Sequence, residues 1–184
     1  MAPDRSNIVL IGMPGAGKST VGVRLARRLG LDFIDTDQLI EQQQGRSLQA
    51  IVDADGHQAL RRIEADTLIA LDCRHHVIAT GGSAVYSDAA MAHLRRSGRI
   101  VHLHVALPVI LARVNDIATR GLAREAGQSL AALYQEREAL YRRHADLGVD
   151  VSQCDPAASV EAVVAGLKRS DNGPDGSGIM PVYR

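Results

Sequence analysis

Nine consecutive residues, Gly12-Met13-Pro14-Gly15-Ala16-Gly17-Lys18-Ser19-Thr20, restrict what this chain can fold into more than any other feature. They match the phosphate-cradling pattern Gly-x4-Gly-Lys-Ser/Thr at every specified position. Each residue type there has a physical task. Glycines let backbone N–H groups turn inward onto phosphate oxygens, Lys18 reaches toward the β- and γ-phosphates, and the Ser19 hydroxyl can complete a Mg²⁺ shell. Such a loop works between a strand and a helix, so it dictates its neighbours. Ile8-Val9-Leu10-Ile11 before it is a short, wholly apolar run, as expected of a buried parallel strand. Val21, Leu25 and Leu29 after it recur at helical spacing, which places bound phosphate at a helix N-terminus.

Strand-like and helical patterns alternate along the rest of the chain. Strands are expected at Ile8–Ile11, Phe33–Ile34, Val77–Thr80, Ile100–Val105 and Val149–Val151. Helices are expected near Lys18–Leu29, Ser47–Val52, Gln58–Leu71, Asp88–Arg96, Pro108–Asn115, Leu130–Ala145 and Pro156–Lys168. The last begins with an N-cap carboxylate, Asp155, before a proline at the first helical position, and Val160, Val163, Val164 and Leu167 mark its buried stripe. This alternation implies an α/β fold with a parallel sheet covered on both faces. In such sheets ligands gather beyond the carboxyl ends of the strands. One domain is expected over residues 7–168, and the Ser-, Gly- and Asp-rich stretch 169–184 reads as a disordered tail.

Composition removes several classes of function. Lys+Arg and Asp+Glu both number 21, so no global basic field favours nucleic acid. Aromatic residues make up 3%, too few for base-stacking platforms. Cys73 and Cys154 have no metal-ligand spacing and suit a reducing compartment. The first residues form no signal-peptide apolar region and no run approaches a membrane span, so a cytoplasmic protein without nucleic-acid or membrane partners is expected. Balanced charge and the lack of an obvious apolar surface helix point to a monomer.

Three further clusters carry chemistry. Phe33-Ile34-Asp35-Thr36-Asp37 ends a short strand in two carboxylates one residue apart. At the same sheet edge as the phosphate loop, one can hold Mg²⁺ and the other can orient or deprotonate an attacking hydroxyl. The competing reading is structural: Asp37 or Thr36 caps a helix that begins at Gln38. Next, Val77-Ile78-Ala79-Thr80 runs into Gly81-Gly82-Ser83, where paired glycines let backbone approach a ligand closely or simply form a tight turn. Finally, Arg61, Arg120 and Arg137 are placed to meet anions, since a guanidinium offers two parallel charge-assisted hydrogen bonds to a carboxylate or phosphate. Arg62, Arg142 and Arg143 read as solvated helix-face residues. Residues 115–128 show little apolar periodicity and read as a mobile lid carrying Arg120.

With these clusters in this order, the chain resembles the shikimate kinases, a family of the nucleoside-monophosphate-kinase-like P-loop group. The resemblance runs from about Asn7 to Lys168 through Gly12–Thr20, Asp35-Thr36-Asp37, Gly45-Arg46-Ser47, Gly56, Arg61, Gly81-Gly82, Arg120 and the Arg137…Leu140-Tyr141 run. It implies a three-layer α/β/α fold with five parallel strands in the order 2-3-1-4-5. It also implies transfer of the ATP γ-phosphoryl to a hydroxyl of shikimate. By the same resemblance, Gly15, Ala16, Gly17, Lys18, Ser19 and Thr20 would hold the ATP phosphates, and Ser19 and Asp35 would hold Mg²⁺. Arg113 would lie near the adenine and Arg120 would close over the γ-phosphate. Asp37 would bind the acceptor hydroxyls as base or orienter, Arg61 and Arg137 would clamp the substrate carboxylate, and Gly81 and Gly82 would bring backbone to the ring hydroxyls. Lys18, Asp37 and Arg120 would be the catalytic set.

The departures from the family pattern lie at the substrate end. Gly81-Gly82-Ser83 stands where the family usually has three glycines. Gly56-His57 stands where it has Gly-Glu, and Leu60 precedes Arg61 where it has Phe. Val52 takes another Phe position, and Arg120-Gly121-Leu122 replaces Arg-Pro-Leu. These changes leave the phosphate machinery untouched and keep a second acceptor class open, another small carboxylated polyol or hydroxy acid. A nucleoside monophosphate kinase fits less well, because the lid is short and aromatics to hold a second base are few. A non-catalytic ATP-binding module predicts loss of Asp37 or Lys18, and both are present.

Overall fold

The computed structural model describes residues 5–114, 125, 127–171 and 180–182. Its central strand, β1 (Asn7–Ile11), is buried along its whole length, which is why every side chain in it after Asn7 is apolar. The loop Gly12–Gly17 follows, then α1 (Lys18–Leu29), β2 (Asp32–Asp35), α2 (Thr36–Gln44), α3 (Leu48–Asp55), α4 (His57–Ala70) and β3 (His76–Ala79). A single 3-10 turn, Ala84–Tyr86, leads into α5 (Asp88–Ser97), β4 (Gly98–His104), α6 (Leu107–Val114), α7 (Leu130–His144), β5 (Leu147–Asp150), α8 (Pro156–Asp171) and β6 (Met180–Val182).

The sheet order is β2-β3-β1-β4-β5-β6, all parallel. The first five strands follow the 2-3-1-4-5 order that the resemblance implies. The sixth corrects part of the tail reading: Met180–Val182 lies beside β5, with Pro181 opposite Gly148. A proline is tolerated there because this is the outermost strand. Residues 172–179 and 183–184 of that tail lie outside the described residues. Helix α1 packs with α8, and α4 packs with α5. These two groups cover the two faces of the sheet.

Helix ends follow local chemistry. Asp155 Oδ1 accepts from Ala158 N at 2.8 Å, the N-cap expected before Pro156. Ser47, Ser87 and Ser129 cap α3, α5 and α7 in the same way. Helix α2 bears out the helix weighed as the structural alternative for the carboxylate pair, but it starts at Thr36 rather than Gln38 and its cap differs from both residues proposed for it. Asp35 itself is the N-cap, and its Oδ1 accepts from Asp37 N at 3.0 Å and Gln38 N at 3.4 Å.

Two cores result. The large one fills both faces of the sheet around Val9, Leu10, Ile11, Leu25, Ile78 and Leu103. A small one, Ile40, Leu48, Ile51 and Leu60 with Val52 and Ile63 against it, holds α2, α3 and α4 together. Leu60, which takes a family Phe position at the substrate end, is 1% exposed and belongs to this satellite core. Its contribution to any pocket is therefore the placement of its neighbour Arg61.

Candidate active site

The phosphate loop is built by glycines in conformations other residues resist. Gly15 and Gly17 have φ of 83° and 89°. At Gly12, a Cβ would sit 2.7 Å from Leu103 O on the neighbouring strand β4, so the chain can turn there only without a side chain. Gly17 caps α1 without any side-chain bond, and no acidic residue lies in the first turn. The N-terminal N–H groups and the positive helix end thus face an incoming anion rather than a capping carboxylate. Lys18 is 8% exposed and bends back over the loop, donating to Gly12 O at 2.7 Å and Met13 O at 2.9 Å. Arg113 Nη1 donates to Gly15 O at 3.0 Å, which fixes α6 to the crest of the same loop. Ser19 and Thr20 are exposed at the start of α1.

Beyond β2 the carboxylates divide their labour. Asp35 is anchored by its cap bonds. Asp37, in the first turn of α2, has its Oδ1 buried with no hydrogen-bond partner among the described residues. Burial pushes the Asp37 carboxyl up to about 6, while Lys18 pulls the other way. Burial likewise lowers Lys18 to about 8, against the attraction of Asp37. The acid and the amine therefore sit on either side of neutrality with opposite charges at pH 7.

The strand-end glycines close the site from β3. Gly81 N donates to Thr36 Oγ1 at 3.3 Å, and a Cβ on Gly81 would lie 2.8 Å from Asp37 Oδ1 and inside the Glu64 carboxyl. Gly81 therefore supplies space rather than a donor. A Cβ on Gly82 would lie 2.8 Å from Pro14 and 2.9 Å from Arg137 Nη1. Tyr141 Oη donates to Gly82 O at 2.6 Å and so fixes this backbone from α7.

Arg61, from the first turns of α4, and Arg137, from α7, meet at one aromatic ring. Their guanidinium carbons lie 3.7 Å and 5.5 Å from the Tyr86 ring centroid. Arg137 is 1% exposed. Although burial works against its charge, Tyr141 and Tyr86 hold its guanidinium above the usual value. Glu64, one helical turn after Arg61, is buried among these groups and accepts from Ser83 Oγ. Burial and then Asp37 push Glu64 up to about 8, against Arg137, Lys18 and Arg61, so it is protonated at neutral pH. Ser83, the residue in the third-glycine position, is thus a buried partner of Glu64.

Residues 14–168 match the family model for shikimate kinase. The chain belongs to the shikimate kinase family. The shikimate kinase of Xanthomonas oryzae pv. oryzae (strain PXO99A) is 39% identical over 164 residues, 88% of this chain and 91% of that one. That of Mycobacterium avium (strain 104) is 38% identical over 174 residues, 93% and 97% of the two chains. Among solved structures, shikimate kinase from Acinetobacter baumannii in complex with shikimate superposes with a TM-score of 0.81 at 31% identity, covering 92% of this chain and 96% of that one.

In this shikimate kinase family member, the sheet edge gathers Gly15–Thr20, Asp35, Asp37, Arg61, Gly81, Gly82, Arg113 and Arg137. Arg120 and Gly121 lie outside the described residues, as does most of the segment read as a lid. Sequence reasoning missed Glu64 and Tyr86. Glu64 was signalled by its i,i+3 spacing from Arg61, which puts both on one helix face. Tyr86 was signalled by its place just after the glycine pair in a chain with four tyrosines and one phenylalanine.

Proposed function

We propose that this protein is an ATP-dependent kinase that phosphorylates a hydroxyl of shikimate, giving shikimate 3-phosphate. The observation that carries the reading is Asp37: a buried carboxylate oxygen with no partner among the described residues, opposite Lys18, at the edge where the phosphate loop ends. A buried acceptor of that kind is satisfied by a hydroxyl donor. The relative from Acinetobacter baumannii, solved with shikimate bound, supports the choice of acceptor.

In this scheme the loop N–H groups of Gly15 to Thr20 and the α1 terminus hold the ATP phosphates, and Lys18 turns its ammonium to the β- and γ-oxygens. Asp37 accepts the hydroxyl proton as the hydroxyl oxygen bonds to the γ-phosphorus, and the bond from that phosphorus to the ADP oxygen breaks in line. Arg61 and Arg137 bind the shikimate carboxylate, and Gly82 gives its N–H to a ring hydroxyl. Arg113 stands at the nucleotide side, and Arg120 meets the γ-phosphate. Asp35 has one oxygen committed to capping α2, which leaves the other, with the Ser19 hydroxyl, to hold Mg²⁺; one or two such ligands plus phosphates suffice for that ion. When bound, Mg²⁺ neutralises charge on the phosphate oxygens. We place this enzyme in the cytoplasm as a monomer; among the described residues no helix is long and apolar enough to cross a membrane.

A second reading rests on Ser83. Its side chain stands in the third-glycine position and bonds Glu64, one turn from Arg61, which suits another small hydroxy acid with a carboxylate in the same clamp. The substitution Arg61→Ala tests the clamp shared by both readings. Losing a charge-assisted hydrogen-bonding group, about 1.5–3 kcal/mol, should raise the acceptor KM roughly tenfold to a hundredfold and leave the ATP KM nearly unchanged. Equal effects on both constants would remove Arg61 from the acceptor site.

A further inference from the structure

Among the described residues, one group of metal-ligand side chains lies outside this constellation: His102 and His104 on β4 and Glu138 on α7. Residues two apart on a strand face the same way, so both imidazoles point at α7. One ring nitrogen from each histidine and one Glu138 oxygen all lie within 4.8 Å of one another. Glu138 Oε1 is 2.9 Å from His104 Nδ1, and Oε2 is 3.6 Å from His102 Nε2. Arg142 Nε, one turn further along α7, donates to Oε1 at 2.9 Å.

We propose that His102, His104 and Glu138 form a binding site for one divalent transition-metal ion of the Zn²⁺ class. The donor set decides the class. Two imidazole nitrogens and one carboxylate oxygen suit zinc and its neighbours, whereas Mg²⁺ and Ca²⁺ take oxygen ligands. Donors at 2.0–2.2 Å from one tetrahedral ion stand about 3.3–3.6 Å apart, so separations of at most 4.8 Å need to close by no more than about 1.5 Å. Arg142 occupies Oε1 and thereby orients the carboxylate, the role that partners of metal ligands ordinarily play, and Oε2 remains for the ion. His102 is 1% exposed, so the ion would be shielded from bulk water on that side and reached past half-buried His104.

The position gives the site a consequence. The His102 ring lies 5.1 Å from that of Tyr141, which bonds Gly82, and its Cδ2 is 3.6 Å from where a Gly12 Cβ would stand. Glu138 follows Arg137 directly. A bound ion ties β4 to α7 immediately behind both the phosphate loop and the acceptor clamp.

The test uses the full chain, stripped of metal with a chelator and then held in excess Mg²⁺ and ADP so that the phosphate-loop cation position is filled. Co²⁺ is titrated first and followed by its visible d–d absorption; Zn²⁺ is then titrated by calorimetry. Expected are one equivalent per chain, a Co²⁺ spectrum of low coordination number, and displacement of Co²⁺ by Zn²⁺. His104→Ala and Glu138→Gln should each weaken Zn²⁺ binding at least about tenfold, the lower end of what loss of a ligand's partner alone causes. His76→Ala, at the half-buried first position of β3, should not. His104→Asn serves as a second variant should alanine unfold the protein, as judged by circular dichroism. Absence of a Co²⁺ spectrum overturns the proposal. So does Zn²⁺ binding that the His104 and Glu138 variants leave unchanged.

Discussion

The titration of Asp37 and Lys18 gives the sharpest perturbation, because the two groups are shifted toward each other across neutrality. Burial raises Asp37 to about 6 and lowers Lys18 to about 8. The acceptor kcat/KM, which reports the free enzyme, should therefore be bell-shaped with limbs near these values. At pH 5 a carboxyl titrating near 6 is about one-tenth ionised, so the rate should be roughly tenfold below the plateau. A carboxyl at its ordinary value would lose almost nothing there. Saturating ATP brings phosphate charge to Lys18, so the alkaline limb of kcat should move upward from about 8. Asp37→Asn should remove the acid limb and lower kcat by about 10²–10⁴. The same substitution has a stability signature. A folded-state pKa above the unfolded 3.8 means that the folded chain binds the extra proton, so stability falls as pH rises from about 4 to about 6 and stays lower above it. The displacement corresponds to at most about 3 kcal/mol, and partial exposure of Asp37 brings the expected gain for Asp37→Asn at pH 7 to about 1–2 kcal/mol. Urea unfolding of both proteins at pH 4.5 and 7 reads it as the difference between them, because Glu64, also raised by burial, adds a fall of the same sign to each. An acceptor kcat/KM at pH 5 within twofold of that at pH 7, or an Asn variant no more stable at pH 7, would refute the reasoning.

Two further substitutions separate placement from chemistry. Tyr141→Phe removes the bond to Gly82 O and leaves that carbonyl short of a partner, so stability should fall by about 1–3 kcal/mol and the acceptor KM should rise while the ATP KM holds. Gly81→Ala forces a methyl against Asp37 Oδ1 and into the Glu64 carboxyl; kcat should drop with a stability loss of about 1–3 kcal/mol, measured by steady-state assay and denaturant melt.

How much of this was legible in the chain follows from the range over which each signal acts. The strand, loop and helix around Gly12–Thr20 are local, and every residue in them obeys one local demand, so they were readable without any partner. Helix α2 was legible only as an alternative, because Thr36–Gln44 is largely polar and only Thr36 and Ile40 are buried; its start was hidden in a carboxylate pair that also suggested chemistry. Asp35 turned out to serve the cap, while Asp37 holds the buried oxygen left without a partner among the described residues. The meeting of Arg61 and Arg137 came from family resemblance alone, since it depends on α4 and α7 converging over Tyr86. Glu64 with Ser83, and the placement of Leu60 in the satellite core, are products of tertiary packing that periodicity does not encode. The strand Met180–Val182 escaped notice because three residues carry no readable period.

The most direct measurement of the central claim is ADP release by the purified chain with Mg²⁺ and ATP, with and without shikimate, together with identification of the phosphorylated product. ADP release dependent on shikimate, with one shikimate 3-phosphate formed per ADP, is the expected result. Turnover only with a different hydroxy acid, or none with any acceptor, would contradict it.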